Sequence, residues 1–218
     1  WNLMIEKHAY ATGGVSDMEH FRKDNALDAT RTQCNCESCC AHNILKITRE
    51  LFKITGDVKY SDYYETTLRN AIMGAVKADT GAFSYFTPMA TGYFKFFGET
   101  DPANNMFWCC TGSGMENYTK LNDSIYFHND DSIVVNQYIA STLSWDEMGF
   151  YLTQESDVTR SDEATFTVEV DFPTNLSIYL RVPEWISGQA YLTLNGQNVA
   201  NLDTSDGYIE LNRTWNTG

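Results

Sequence analysis

The chain has 218 residues, 43% of them hydrophobic and 20% charged, so it can bury a substantial core and sits among ordinary globular sequences. Its formal net charge of −14, with no run of Lys or Arg, repels phosphate backbones and anionic headgroups and excludes nucleic acid and membrane surfaces as expected partners. No window approaches the ~18 consecutive apolar residues of a spanning helix.

In chain order, residues 1–38 read as a loop by composition, with a Gly13-Gly14 turn followed by Ser16, Asp17 and Glu19. From Cys39 to Thr55 the pattern becomes helical: Ile44, Leu45, Ile47, Leu51, Phe52 and Ile54 recur at spacings near 3.6, and Gly56-Asp57 supplies a stop. A second helix is predicted from Lys59 to Lys77, with Tyr60, Tyr63, Tyr64, Leu68, Ile72 and Val76 on one face. Two such helices across a short turn make a hairpin, the unit of helical toroids and solenoids, although one hairpin establishes no repeat. Residues 79–108 are aromatic and irregular, and a third helix is predicted from Ser113 with Met115, Tyr118 and Leu121. Short strands then follow at Ile125–Phe127, Ile133–Tyr138, Gly149–Thr153, Thr165–Val170, Ser177–Val182, Tyr191–Leu194 and Tyr208–Leu211, punctuated by Asn195-Gly196 and Asp206-Gly207. The expected class is α+β with two domains, a helical one over 1–125 and a β-sandwich over 126–218. The chain carries no leader pattern, and Trp1 and Gly218 both read as cut ends, so a piece of a longer protein is expected. Cytoplasm and periplasm both stay open as its compartment.

All six cysteines fall in two knots, CNCESCCAHN (Cys34–Asn43) and FWCCTGSGMEN (Phe107–Asn117). Three disulfides are arithmetically open, yet the adjacent pairs Cys39-Cys40 and Cys109-Cys110 are poor disulfide material, which favours reduced thiols around a metal. Glu37, Cys39, Cys109 and Cys110 offer one carboxylate and three sulfurs, and zinc accepts such a set at about 2.0–2.2 Å to oxygen and about 2.3 Å to sulfur. Two adjacent cysteines ligating one ion call for an irregular backbone, which Gly112-Ser-Gly114 would permit. A closed site that only ties two loops together remains the competing reading. Cys34, Cys36 and Cys40 are left over, as small buried hydrophobes or alternative ligands. Glu19, in a Gly-rich loop beside His20 and Phe21, is either a solvated loop residue or a general acid. The aromatic share of 14% fills cores or, at the surface, offers flat faces on which sugars stack.

TGGVSDMEHF (Thr12–Phe21), the CESC segment (Cys36–Cys39) leading into HNILKITRELFKITGD, and FWCCTGSGMEN resemble, in this order and with compatible gaps, the family once called domain of unknown function 1680. That family includes the β-L-arabinofuranosidases of glycoside hydrolase family 127 and the related family 146. The resemblance runs from Tyr10 to Glu155 and more loosely beyond. It implies the C-terminal part of an (α/α)₆ toroid followed by a β-sandwich, and a Zn²⁺ ion held by Glu37, Cys39, Cys109 and Cys110. It implies Cys109 as nucleophile, Glu19 as acid/base, and Glu65 and Tyr85 as substrate contacts. The substrate partner it implies is a plant-type arabinose-containing oligosaccharide or glycoprotein glycan. A partial toroid exposes helix faces, so a homodimer is a further expected assembly. CESC departs from the commoner Glu-Thr-Cys form and Cys40 is unusual for the family, but neither change removes a ligand. Two other classes compete: a non-catalytic carbohydrate-binding or structural fragment whose zinc only clamps the fold, and a thiol redox protein, for which the surrounding βαβ pattern is missing.

Overall fold

The computed structural model describes residues 1–98 and 107–218; part of the expected irregular aromatic stretch, 99–106, lies outside the described residues. The chain is α+β and divides into two compact units, Trp1–Leu121 and Asn122–Gly218. No helix among the described residues is long and apolar enough to cross a membrane.

The first unit opens with α1 (Asn2–His8), which composition alone read as loop. It buries none of its residues and so shows no apolar stripe. Its preceding residue does the anchoring: the Trp1 indole donates to Thr48 Oγ1 at 2.8 Å and sits edge-on to Tyr60 and Tyr63. α2 (Ser38–Thr55) runs as expected and ends at Gly56, whose φ of +68° and N–H bond to the Phe52 carbonyl form a left-handed cap. Its buried stripe is Ala41, Ile44, Leu45, Thr48 and Phe52, whereas Ile47 and Ile54, assigned to that face from the sequence, are exposed. α3 (Val58–Thr67) starts at Asp57, whose side chain accepts from the Lys59 N–H at 3.1 Å.

The second helix does not reach Lys77 as one α-helix. It widens into a π-type turn at Leu68–Ile72, tightens at Met73–Ala75, and stops because Val76 is extended and pairs with Phe83. β1 (Phe83–Ser84) pairs antiparallel with β2 (Phe97–Gly98). The last helix, α4 (Cys109–Thr119), begins four residues before the expected Ser113, so Cys109-Cys110 lies in its first turn and not on irregular backbone. Gly114 serves packing, because a Cβ there would come within 2.3 Å of the Phe83 ring.

The second unit contains β3 (Tyr126–His128), β4 (Ser132–Val135), β5 (Ile139–Trp145), β6 (Phe150–Asp157), β7 (Ala164–Val170), β8 (Thr174–Arg181), β9 (Thr193–Leu194), β10 (Gln197–Asn198) and β11 (Tyr208–Trp215). One sheet has the order β11-β8-β4-β3 with β4 and β8 parallel, a second is β5-β6-β7, and β9-β10 is a hairpin. Asn195 and Gly196, both at positive φ, turn that hairpin as their sequence predicts. Alternating residues Ile133 and Val135, Leu176, Ile178 and Leu180, and Ile209 meet Phe150, Leu152 and Val168 of the three-stranded sheet in one apolar cluster. β5 escaped the sequence reading because a polar residue, Ser141, stands among its half-buried positions, bonded to the Tyr126 hydroxyl at 2.9 Å.

Candidate active site and metal centre

Glu37 is the N-cap residue of α2 and Cys39 and Cys40 lie in its first turn; Trp108 caps α4, which Cys109 and Cys110 begin. Neither cap residue's side chain accepts from a backbone N–H of its helix. First-turn N–H groups without intrahelical partners concentrate positive potential, which favours anionic sulfur and carboxylate. The fold thus turns two helix N-termini toward one point.

The ligand atoms of Glu37, Cys39, Cys109 and Cys110 all lie within 4.8 Å of one another. Cys39 Sγ stands 3.3 Å from Cys110 Sγ, Cys109 Sγ 3.9 Å from Cys110 Sγ, and Glu37 Oε1 3.8 Å from both Cys109 and Cys110. Sulfur corners of a tetrahedron with bonds of about 2.3 Å are ~3.8 Å apart, so these edges suit a tetrahedral ion. All six cysteines are free thiols, which removes the disulfide alternative. The four side chains therefore fit a metal ion.

The sulfurs differ in access and in charge. Cys110 is buried and Cys109 exposed. The hydrogen bond from Cys39 lowers the Cys110 thiol to about 7, and the same shared contact pushes Cys39 far above the usual thiol range. Burial, and next the Glu37 carboxylate, push Cys40 up to about 12. Of these three sulfurs Cys110 is thus the one that gives up its proton most readily.

Glu19 reaches this cluster from a strained turn. Asp17 and His20 exchange backbone bonds, and Met18 and Glu19 between them have φ of +50° and +66°. Asp17 is fixed by Arg22 at 2.9 Å and by the Thr32 hydroxyl at 2.6 Å. The Gly-Gly turn sets the loop's height. A Cβ on Gly13, whose φ is +79°, would lie 2.1 Å from Thr67 Oγ1, and one on Gly14 would meet Cys36 Cβ at 2.7 Å. Gly13→Ala is therefore expected to destabilise the helical unit by about 2 kcal/mol or more, left-handed strain plus a clash, read by urea unfolding.

Glu19 accepts a short hydrogen bond from the Tyr85 hydroxyl, which also lies 3.5 Å from Cys109 Sγ. The bond to Glu19, and next the one to Cys109, raise the Tyr85 hydroxyl above its ordinary range, so it remains a protonated donor. The Tyr85 carbonyl accepts from the Ser38 N–H at 3.0 Å, which pins this residue to the first turn of α2. Its ring packs against Phe86 and edge-on to Trp108, with centroids 4.5 and 5.6 Å away. Glu65 is only 2% exposed on α3, where Arg69 donates to its carboxylate at 3.2 Å.

Other supporting groups escaped the sequence reading. Ser113 Oγ donates to Cys39 Sγ at 3.1 Å; a hydroxyl one turn after Cys109-Cys110 on α4 was the available signal. Ser16 Oγ accepts from the Glu37 N–H at 3.2 Å. His42, 4% exposed, ties α2 to α4 by contacts to Asn117 at 2.7 Å and Glu116 at 3.2 Å. Cys36 is buried behind Gly14 at a φ of +51°, as a leftover small hydrophobe would be.

Residues 1–123 match the family model described as β-L-arabinofuranosidase, GH127 catalytic domain, and residues 132–218 match the GH127 middle domain. A non-reducing end β-L-arabinofuranosidase of Bifidobacterium longum subsp. longum is 20% identical over 229 residues, 97% of this chain and 34% of that protein. The crystal structure of a GH127 β-L-arabinofuranosidase from Geobacillus stearothermophilus T6 superposes with a TM-score of 0.81 at 23% identity, covering all of this chain and 36% of that one. A second solved structure, a GH127 β-arabinofuranosidase, gives 0.79 at 24% identity, again over the whole chain and 36% of the relative. These likenesses carry the fold. The chain spans about a third of the length of the relatives it matches.

Proposed function

Since the chain belongs to the glycoside hydrolase family 127 β-L-arabinofuranosidases, we propose that it carries the reacting groups of a retaining glycosidase, with Cys109 as nucleophile and Glu19 as acid/base. The substrate class is a β-L-arabinofuranoside at the end of a plant-type oligosaccharide or glycoprotein glycan, with Tyr85 and Glu65 as substrate contacts. On this reading the helical unit is the C-terminal part of an (α/α)₆ toroid and the second unit a β-sandwich. One observation supports it above all: a single hydroxyl, Tyr85 Oη, touches both the Glu19 carboxylate and Cys109 Sγ. Two atoms bridged by one hydroxyl are at most about 6 Å apart, the short spacing of a double displacement rather than the ~6.5–9.5 Å that leaves room for a water.

Glu37, Cys39, Cys109 and Cys110 would hold a zinc ion, which when bound supplies the positive charge that keeps sulfur anionic at neutral pH. In the first step Cys109 Sγ bonds to the anomeric carbon, the C1–O bond breaks, and Glu19 gives its proton to the departing oxygen. A thioglycosyl-enzyme on Cys109 results. In the second step Glu19 takes a proton from water, the water oxygen bonds to C1, and the sulfur leaves as thiolate. Tyr85 keeps its proton throughout and orients Glu19 toward the sulfur, while Cys110 stays against Cys39 and Glu37 as the less accessible sulfur of the pair. Exposed Phe107 and the neighbouring Trp108 offer flat faces beside the reacting sulfur.

The test is a trapping experiment. Mass spectrometry of the full-length protein after reaction with a slow furanoside is expected to place one sugar on the peptide containing Cys109; a sugar ester on a carboxylate overturns the assignment. Metal removal gives a second expected result. All four donors lie in the first unit, so a chelator is expected to lower the melting midpoint of the helical signal by on the order of 10 °C and leave the strand-rich signal in place. Equal loss of both signals counts against the site.

A further inference from the structure

Glu37 is held at both ends before any ion is considered. Its N–H donates to Ser16 Oγ at 3.2 Å, and its carboxylate is divided between two environments. Oε1 faces Cys109 and Cys110 at 3.8 Å each, while Oε2 lies 3.0 Å from Cys40 Sγ. Glu37 is only 8% exposed, so an oxygen not used toward the cluster needs a donor from the protein. Cys40 is three residues on, in the first turn of α2, and its backbone N–H is already bonded to the Glu37 carbonyl at 3.1 Å. The thiol therefore rides on the same helical turn that fixes Glu37. A thiolate at 3.0 Å from a carboxylate oxygen would repel it, so the contact requires the proton on sulfur.

We propose that Cys40 is a positioning residue: its thiol donates to Glu37 Oε2, fixes the carboxylate's rotation, and leaves Oε1 alone to face the cysteine cluster. The inference rests on the metal reading of that cluster but assigns Cys40 neither a ligand bond nor a chemical step. Removing a group that orients a metal ligand typically costs about 10–100-fold in metal affinity. Serine keeps a donor at this place, alanine removes it, and valine removes it while filling the space.

The experiment compares wild type with Cys40→Ser, Cys40→Ala and Cys40→Val, using the full chain. Zinc affinity is measured by chelator competition, and sulfur ligation is read from the near-ultraviolet charge-transfer absorption of the cobalt(II)-loaded protein. The expected result is a loss of about 10-fold or more in zinc affinity for Cys40→Ala and Cys40→Val, with most of it restored in Cys40→Ser. The charge-transfer intensity per cobalt is expected to stay at the wild-type level in all three, with the visible bands shifted only in the two variants that lack a donor. Wild-type affinity in both non-donating variants overturns the proposal. So does a Ser variant as weak as Ala, or a drop in charge-transfer intensity, which would make Cys40 a ligand. Loss of fold in both Ala and Val variants would make Cys40 a packing residue and overturn it too. A wild-type chain that takes up neither zinc nor cobalt overturns the metal reading itself, a failure visible without any variant.

Discussion

Cys109→Ser in the full-length protein is expected to reduce turnover of an aryl β-L-arabinofuranoside by on the order of 10⁴-fold or more while leaving the fold and most of the bound zinc in place. The reason lies in the difference between sulfur and oxygen. A sulfur held by a metal ion would be anionic, whereas a serine hydroxyl is a far weaker nucleophile toward C1. Cys109 is also the exposed sulfur of the pair; Cys110 is buried against Cys39 and Glu37. Losing one ligand leaves Glu37, Cys39 and Cys110, and three protein donors suffice for zinc when water fills the fourth place. A cysteine that only clamps the fold predicts the reverse: a protein with weakened metal binding and lowered melting temperature. Circular dichroism, metal content and turnover on one preparation separate the two, and turnover within tenfold of wild type would remove Cys109 from the chemistry.

Much of this was legible from residues, and what was not has identifiable causes. α2 was readable because its period of apolar residues runs into a glycine that can take φ of +68°. The two cysteine knots announced a soft metal site, but spacing could not say that the second knot is helical. Two adjacent ligating cysteines call for irregular backbone by spacing, whereas the structure puts Cys109 and Cys110 in the first turn of α4, where their backbone N–H groups lack intrahelical partners. From its neighbours alone Glu19 reads as a solvated loop carboxylate or a general acid, and only the family resemblance selects the second. Its contact with Tyr85 depends on a turn that places Met18 and Glu19 at positive φ, a conformation that their side chains disfavour and a sequence pattern does not reveal. Cys40 looked surplus because ligand counting stops at four, yet the buried second oxygen of Glu37 needs a donor.

Glu19→Gln is expected to lower turnover of natural-type glycosides by about 10²–10⁴-fold, with an effect that depends on the leaving group. A sugar alkoxide departs only with a proton, so its release suffers the full loss. A nitrophenolate departs without one, so its release should be nearly normal and appear as a burst of one equivalent. The second step then stalls, because glutamine cannot take the proton from water, and the sugar remains on Cys109. Azide needs no base to attack, so adding it is expected to restore turnover and give a glycosyl azide with the substrate's anomeric configuration, the outcome of two displacements at one carbon. Glutamine preserves the size of Glu19 and can still accept from Tyr85 Oη, so the turn and the Tyr85 contact should survive and the loss should report on the proton alone. The absence of both a burst and azide rescue, in a variant that keeps its metal and fold, would place the acid/base elsewhere.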